Sequence, residues 1–274
     1  ISGLKMWLDA SDLATAEATW TDNSGNGNHA TKSGSPSVIS NAQNGKSIMR
    51  YSGANTDYHE WTDINDIRSI FWVVQANSSN SAFLLGDDNQ YHFHHNNGNP
   101  KLFWHSGYTS ANIRNGNLRV NGLSINGLSA QLNSNLSSLS IISLRTTGNV
   151  EASRFSRDRT ESGRNWKGDL GELLIYNTAL TDSEIIQVEG YLAHKWNLNE
   201  SLPNNHPYRF STSSSYTSSN SEVLEVNGDS LSIKSGGTAT ITLRAPANQS
   251  ADSATPVTKT ISVAKASLTI TGQD

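Results

Sequence analysis

Cysteine is absent from this 274-residue chain, which excludes a small ectodomain stapled by disulfides and fits a large bacterial exoprotein better. Charge is also scarce. Asp, Glu, Lys and Arg together make up 16 % of the residues, against about a quarter in ordinary domains. The 20 Lys and Arg are outnumbered by 24 Asp and Glu, for a net charge of −4. A nucleic-acid partner would call for a basic excess, so none is expected. Long apolar runs are missing too: no stretch approaches the roughly 20 residues that span a bilayer, and no basic segment with a hydrophobic follower stands at the start. Membrane insertion is therefore not expected. The chain begins at Ile1 and reads as a piece of a longer protein.

Ser, Asn, Thr and Gly are abundant, and seven Trp and eight Tyr supply apolar area for a core, so the polar bias does not mean disorder. Short apolar or alternating runs recur between turn signals: Met6–Leu8, Ile70–Val74, Ala82–Leu85, Tyr91–Phe93, Lys101–Trp104, Leu118–Val120, Ile141–Leu144 and Leu173–Tyr176. That spacing predicts an all-β sandwich or barrel. Ile70–Val74 is apolar at every position, as a strand covered on both faces should be. Asn121-Gly122 predicts a type I′ hairpin, since both central residues of that turn need positive φ, and Asn126-Gly127 predicts a further reversal.

One segment has helical periodicity. Thr181 and Glu184 form a capping-box pattern, and Ile185, Val188, Leu192 and Trp196 follow on one stripe, which must lie against the sandwich. Gly190 weakens such a helix by about 1 kcal/mol relative to Ala, so a close contact is expected there. Residues 211–220 are almost wholly Ser, Thr and Tyr and read as a linker between a domain at 1–210 and a second at 221–274. In the second, Leu231/Ile233, Ala239/Ile241/Leu243, Ile261/Val263 and Leu268/Ile270 alternate with polar residues, predicting half-buried antiparallel strands.

Two distant stretches resemble one family. Leu4-Lys5-Met6-Trp7-Leu8-Asp9-Ala10-Ser11-Asp12 and Trp20-Thr21-Asp22-Asn23-Ser24-Gly25-Asn26-Gly27-Asn28-His29-Ala30 resemble the opening of bacterial laminin-G-like, concanavalin A-like domains. Trp166-Lys167-Gly168-Asp169-Leu170-Gly171-Glu172-Leu173-Leu174-Ile175-Tyr176-Asn177, with Ala179 to Ile185, resembles their last strand and helix. Val188 to Trp196, closing at Leu202-Pro203 and His206-Pro207-Tyr208, is similar to a tail of large marine bacterial surface proteins. Val257 to Thr271 is similar to junctions between bacterial Ig-like repeats of adhesins. The resemblance implies a concanavalin A-like jelly-roll sandwich with one short helix near its end, followed by a small Ig-like sandwich. It further implies a carbohydrate-binding or adhesive module on a secreted or cell-surface bacterial protein, with protein or peptide binding, or a spacer role, as the alternative.

Candidate sites follow from side-chain chemistry. The loop Asp22, Asn23, Asn26 and Asn28 concentrates oxygen donors as Ca²⁺ requires, although an Asn- and Asp-stabilised turn explains the same residues. The resemblance adds Asp169 and Glu172 as further ligands. His92 and His94 would share a strand face and could hold a metal with a third ligand, His95 facing away. Sugar rings stack on aromatic platforms, for which Trp61, Trp104, Tyr108 and Trp166 lie near polar loops, whereas Trp7, Trp72 and Trp196 sit in apolar patterns and belong to the core. Arg154, Arg157, Arg159 and Arg164 could grip the carboxylates or sulfates of an anionic polysaccharide or glycoconjugate, unless Asp158, Glu161 and Asp169 neutralise them.

Catalysis is not expected. Concanavalin A-like folds also carry glycoside hydrolases and polysaccharide lyases, and a retaining hydrolase needs two carboxylates about 5 Å apart. No strand carries the Glu-x-Asp-x-x-Glu pattern that would place them; Asp169 and Glu172 fall on opposite faces unless a bulge intervenes.

Overall fold

Apolar residues spaced two apart between turn formers build strands, and strands dominate the computed structural model, which describes residues 1–78, 82–96, 98, 100–209, 215–227, 230–244 and 257–264. The chain divides into two units, Ile1–Arg209 and Phe210–Asp274. In the first, the strands are β1 (Leu4–Asp9), β2 (Thr19–Trp20), β3 (Ala30–Ser33), β4 (Ser37–Gln43), β5 (Lys46–Ser52), β6 (Tyr58–Ala76), β7 (Asn117–Val120), β8 (Leu123–Ile125), β9 (Ser140–Phe155) and β10 (Lys167–Tyr176). Short helices α1 (Ala111–Arg114) and α2 (Leu132–Asn135) flank the β7–β8 hairpin, and α3 (Asp182–Lys195) follows β10.

The strands form one antiparallel network in the order β4-β5-β10-β6-β9-β7-β8, with β1 added on β10, β3 on β6 and β2 on β3. β6 and β9 pair from His59↔Phe155 to Val74↔Ser140, and three register shifts between Glu60 and Ser69 bend the long pair. The unit is all-β and sandwich-like. β1 lies antiparallel on β10, with Trp7 opposite Leu174 and Asp9 opposite Glu172.

Ile70–Val74 is apolar throughout because each face of β6 meets a different core. Ile70, Trp72 and Val74 join Met6, Leu8, Phe103, Phe155, Leu170 and Leu173 in the inner core. Phe71 and Val73 point the other way, into an outer core shared with Leu174, Tyr176 and the α3 stripe Ile185, Val188, Leu192 and Trp196. Each such side chain contributes about 1.5–3 kcal/mol by burial, which is why α3 lies flat on the sheet.

α3 starts and stops for local reasons. Glu184 N–H donates to Thr181 Oγ1 (3.3 Å) and Thr181 N–H to Glu184 Oε2 (2.9 Å), the reciprocal capping box. At the other end Asn197 takes φ 53°, so that Leu198 N–H reaches Ala193 O and Asn197 N–H reaches His194 O, a Schellman arrangement. Gly190 packs under Tyr208: a Cβ there would lie 2.4 Å from the ring's Cγ. Gly190→Ala is therefore expected to lower the melting temperature, the clash of about 1–3 kcal/mol outweighing Ala's helix propensity. A raised melting temperature would mean that Tyr208 gives way.

The predicted hairpin forms on its two-residue loop, with φ 46° at Asn121 and 78° at Gly122 and Val120 opposite Leu123. Three expected strands do not. Ala82–Leu85, Tyr91–Phe93 and Lys101–Trp104 are loop, with only the isolated bridges Gly86↔Arg154 and Leu102↔Gln131 nearby. Their apolar residues are buried all the same, because the loop backbone pairs with neighbouring segments instead of a ladder: Ala82 N–H donates to Asn165 O, Ser156 N–H to Phe83 O and Trp104 N–H to Gly127 O.

The second unit contains β11 (Ser215–Ser218), β12 (Leu224–Asn227), β13 (Ser230–Ile233), β14 (Gly237–Arg244) and β15 (Val257–Val263). They make two small antiparallel sheets, β11-β14-β15 and β12-β13, around Val223, Leu224, Ala239 and Ile241. On the opposite face of β14 and β15, Thr238–Ser262 and Thr240–Thr260 hydroxyl pairs bridge the strands. Two expectations are corrected. Residues 215–218, read as linker, form β11, because Ser-Tyr-Thr-Ser finds a ladder partner in β14 that composition does not reveal. Leu231 and Ile233 are on a strand but stand 48 % and 69 % exposed. Leu268 and Ile270 lie outside the described residues.

Candidate functional site

Burial sorts the expected sugar platform first. Trp61 is buried and its indole N–H donates to Ala152 O (3.1 Å). Trp104 is buried beneath Gly127, whose missing Cβ would lie 2.1 Å from its ring, and stacks on His95 (centroids 5.5 Å). Trp166 is buried beside Phe155. These three belong to the core, because loops from elsewhere in the chain close over rings that sit among polar neighbours in sequence. Trp72 and Trp196 are buried as expected, and Trp7 is half-buried. Tyr108 stands 58 % exposed and meets Tyr91, 44 % exposed, edge to face at 6.1 Å.

The arginines divide in two. Arg154 is buried, paired with Glu60 and Asp88, and lies over the Tyr58 ring at 5.4 Å. Arg157 covers the same ring at 4.8 Å while its guanidinium donates to Arg159 O and Asn55 O. Both tie the loop after β9 to the sheet. Arg159 and Arg164 instead share the carboxylate of the buried Asp158, at 3.2 and 2.7 Å, and Arg159 lies over the Tyr91 ring at 5.2 Å.

Tyr91, His94, Tyr108, Arg159 and Arg164 line one pocket of about 300 Å³. Two connections bring them together, the one between β6 and α1 and the one between β9 and β10. Arg159 takes a left-handed φ of 43°, its N–H donating to Asp87 O, and this reversal turns the loop after β9 back towards Tyr91. His105 N–H donates to His94 O, and His105 Nδ1 accepts the amides of Gly107 and Tyr108, which shapes the turn presenting Tyr108. His94 Nδ1 donates to His95 O (2.7 Å); burial, opposed by that bond, pushes its pKa below the ordinary value, so the ring is neutral at neutral pH. The pocket thus offers two tyrosine rings with hydroxyls and two guanidinium groups anchored from behind by one carboxylate. Tyr91, which sequence reasoning did not single out as a site residue, was discoverable as a Tyr directly after the polar stretch Asp87-Asp88-Asn89-Gln90.

The expected histidine pair does not share a strand face, since residues 91–96 form no strand. His92 Nδ1 accepts Glu151 N–H, while His94 and His95 both pack edge-on against Phe83. Among the described residues no group of three His, Asp or Glu side chains converges as a metal site.

The Asp22 loop serves β1. Asp22 accepts the amides of Trp7 (2.8 Å), Ser24 and Asn28 (2.9 Å each), while the Asn26 and Asn28 side chains donate to Leu4 O and Lys5 O; Asn23 N–H donates to Trp7 O. Burial opposes ionisation of Asp22, but these amides outweigh it and hold its carboxyl below the usual range. The loop covers the free edge of β1, which would otherwise invite strand pairing with another chain. Asp169 is held by a bidentate bond with Arg50, and Glu172 accepts both the Trp7 and Trp196 indoles (2.7 and 2.8 Å) and pairs with Lys195 (2.9 Å). These donors are engaged separately and do not fit a shared calcium ion.

A bulge at Gly171 changes the parity of β10. Leu170 pairs with Val74 and Glu172 with Val73, so Asp169 and Glu172 share the outer face while Leu170 and Leu173 face the inner core. Gly171 is where the neighbour of β10 changes from β5 to β1, and the Trp196 ring lies 2.9 Å from where its Cβ would be.

No protein-family model, no curated protein and no solved structure matches this chain.

Proposed function

We propose that the first unit is a non-catalytic recognition module that holds an acidic sugar residue in the Tyr91–Tyr108–Arg159–Arg164 pocket. The observation that carries this is the pairing of two exposed tyrosine rings with two guanidinium groups around one 300 Å³ space. The rings suit the CH face of a sugar, their hydroxyls and the guanidinium forks suit its hydroxyls and its carboxylate or sulfate. In this reading the fold is the laminin-G-like jelly roll that the terminal motifs resemble, the second unit is an Ig-like spacer, and the parent is an adhesive secreted or surface bacterial protein. The engagement of Asp169 with Arg50, and of Glu172 with two indoles and Lys195, supports binding over glycoside hydrolysis.

An array of acidic and neutral polysaccharides, probed with the whole chain with and without chelator, tests this. Acidic polymers should bind, neutral ones should not, and the chelator should change nothing. Tyr108→Ala removes an exposed ring and should weaken binding by about tenfold or more without moving the unfolding midpoint. Silence on every glycan would sink the proposal in favour of a peptide-binding or spacer role. Release of new reducing ends, or of unsaturated ends absorbing in the far ultraviolet, would overturn the non-catalytic part of it.

A further inference from the structure

Two more pockets are linked to the one just described through the residues that line them. Gly163 and Asn165, which flank Arg164 in the chain, line a space of about 340 Å³ together with Ser52, Gly53, Lys101 and Lys167. Ser52 and Lys167 also line the next space, of about 470 Å³, with Ser35, Ser37, Arg50 and Asn77. The first and second spaces are therefore lined by successive residues of the segment 163–165, and the second and third share Ser52 and Lys167.

Charge sets these spaces apart. Among the described residues five cations line the three spaces, Arg159 and Arg164 in the first, Lys101 and Lys167 in the second, Arg50 with Lys167 in the third, and no Asp or Glu lines any of them. This occurs in a chain where acids outnumber bases by 24 to 20. The acids that hold the arginines in place, Asp158 and Asp169, are buried behind them. Among the described residues the rest of the second space is lined by hydroxyl, amide and glycine, the third adds the Tyr51 ring, and the buried Asn165 keeps an Oδ1 without a hydrogen-bond partner. By contrast, the pocket beside β2 is lined by Asp9, Asp12 and Glu17.

From this arrangement we infer that the three pockets are consecutive subsites for one polyanionic polysaccharide, bound along an internal stretch rather than at a chain end. The inference rests on the acidic-sugar reading of the first pocket and extends it. Tyrosine rings at one end provide stacking; the lysine- and arginine-lined spaces beyond it neutralise the acidic groups of the following sugar units, and the serines and amides meet their hydroxyls. Linked subsites make the later contacts intramolecular, so affinity must rise with ligand length.

Titration calorimetry of the whole chain with a disaccharide and a hexasaccharide of a uronic acid, repeated with a sulfated pair of the same lengths, tests it. The hexasaccharide should bind at least about tenfold more tightly than the disaccharide and lose more affinity as salt is raised, because more ion contacts are made. Lys101→Gln with Lys167→Gln should remove most of that gain and leave disaccharide binding unchanged. The salt dependence of the unaltered protein gives the same answer should the double variant fold poorly. Equal affinity for the two lengths would overturn the row of subsites while sparing the first pocket. No binding of either length would overturn the first pocket itself, and the extension with it.

Discussion

Moving from pH 7 to pH 5 should remove about 4 kcal/mol of stability from the first unit, because two histidines are folded into places where they cannot take up a proton. His59 is fully buried against Trp20 and Tyr51, its Nδ1 bonded to the Tyr51 hydroxyl (2.7 Å) and its Nε2 without a partner. His95 is fully buried, stacked on Trp104, with Nδ1 unpartnered. Burial, reinforced by Lys32 near the first and Lys101 near the second, lowers each pKa from 6.5 to about 3. Between those values the unfolded chain binds two protons that the native state refuses, so stability falls as pH falls below about 6.5. At about 1.36 kcal/mol per pH unit, each histidine costs about 2 kcal/mol by pH 5, a large share of the 5–15 kcal/mol a domain has. Asp63, whose carboxyl is raised to about 6 by partial desolvation and by Asp87 and Glu151, acts in the opposite direction, but most of its side chain meets solvent and its effect is small. Urea unfolding followed by tryptophan fluorescence reads this unit alone, since all seven Trp precede residue 210. His95→Phe should keep the stack on Trp104 and flatten the dependence by about half. An unfolding midpoint that is level between pH 7 and 5 would contradict the burial of both rings.

Glu189 provides the second large effect. It is fully buried on α3, yet accepts a bidentate bond from Arg119 of β7 (2.8 and 3.0 Å), the Ser143 hydroxyl of β9 (2.6 Å) and His206 Nε2 (3.3 Å). Burial works against its ionisation, but the His206, Arg119 and Ser143 bonds prevail and depress its pKa. Its stabilising contribution is present above the ordinary carboxylate pKa and is lost only as pH falls below about 4.5, a window separate from that of the histidines. Glu189→Ala leaves the Arg119 guanidinium, largely buried, without its counter-charge and should cost about 3–5 kcal/mol. Replacing both partners, Glu189→Met with Arg119→Met, should cost far less than the sum of the single changes, since no lone charge is then left inside. A single-variant loss below about 1 kcal/mol, or strict additivity in the cycle, would show that the four-way contact holds nothing together.

Much of the architecture was legible in residue order. Thr181, Glu184 and the stripe to Trp196 specify α3 because capping and helical periodicity act within a few residues. Asn121-Gly122 specifies its hairpin because only the local backbone decides it. The run Ile70–Val74 revealed a strand buried on both faces, and Met6–Leu8 and Leu173–Tyr176 were legible as strands. The candidate site was less so. Of the residues expected to meet a ligand, Tyr108 and Arg159 line the pocket, together with Arg164 of the same arginine cluster, while Trp61, Trp104, Trp166 and Arg154 are buried in the fold. The polar neighbours of those tryptophans suggested exposure. Coverage came from segments far away in sequence, Gly127 over Trp104 and β9 over Trp61.

Parity illustrates the same division. Counting residues puts Asp169 and Glu172 on opposite faces of β10; the bulge at Gly171 puts them on one, because the strand changes neighbours there and Trp196 needs the space. Strand and helix identity, the turns and the pairing of apolar faces are short-range matters, written in spacing and side-chain shape. Which tryptophan is covered, which arginine meets Asp158, and which loops converge on Tyr91 and Tyr108 depend on contacts between segments tens of residues apart. No local periodicity encodes those contacts, and only the folded β unit decides them.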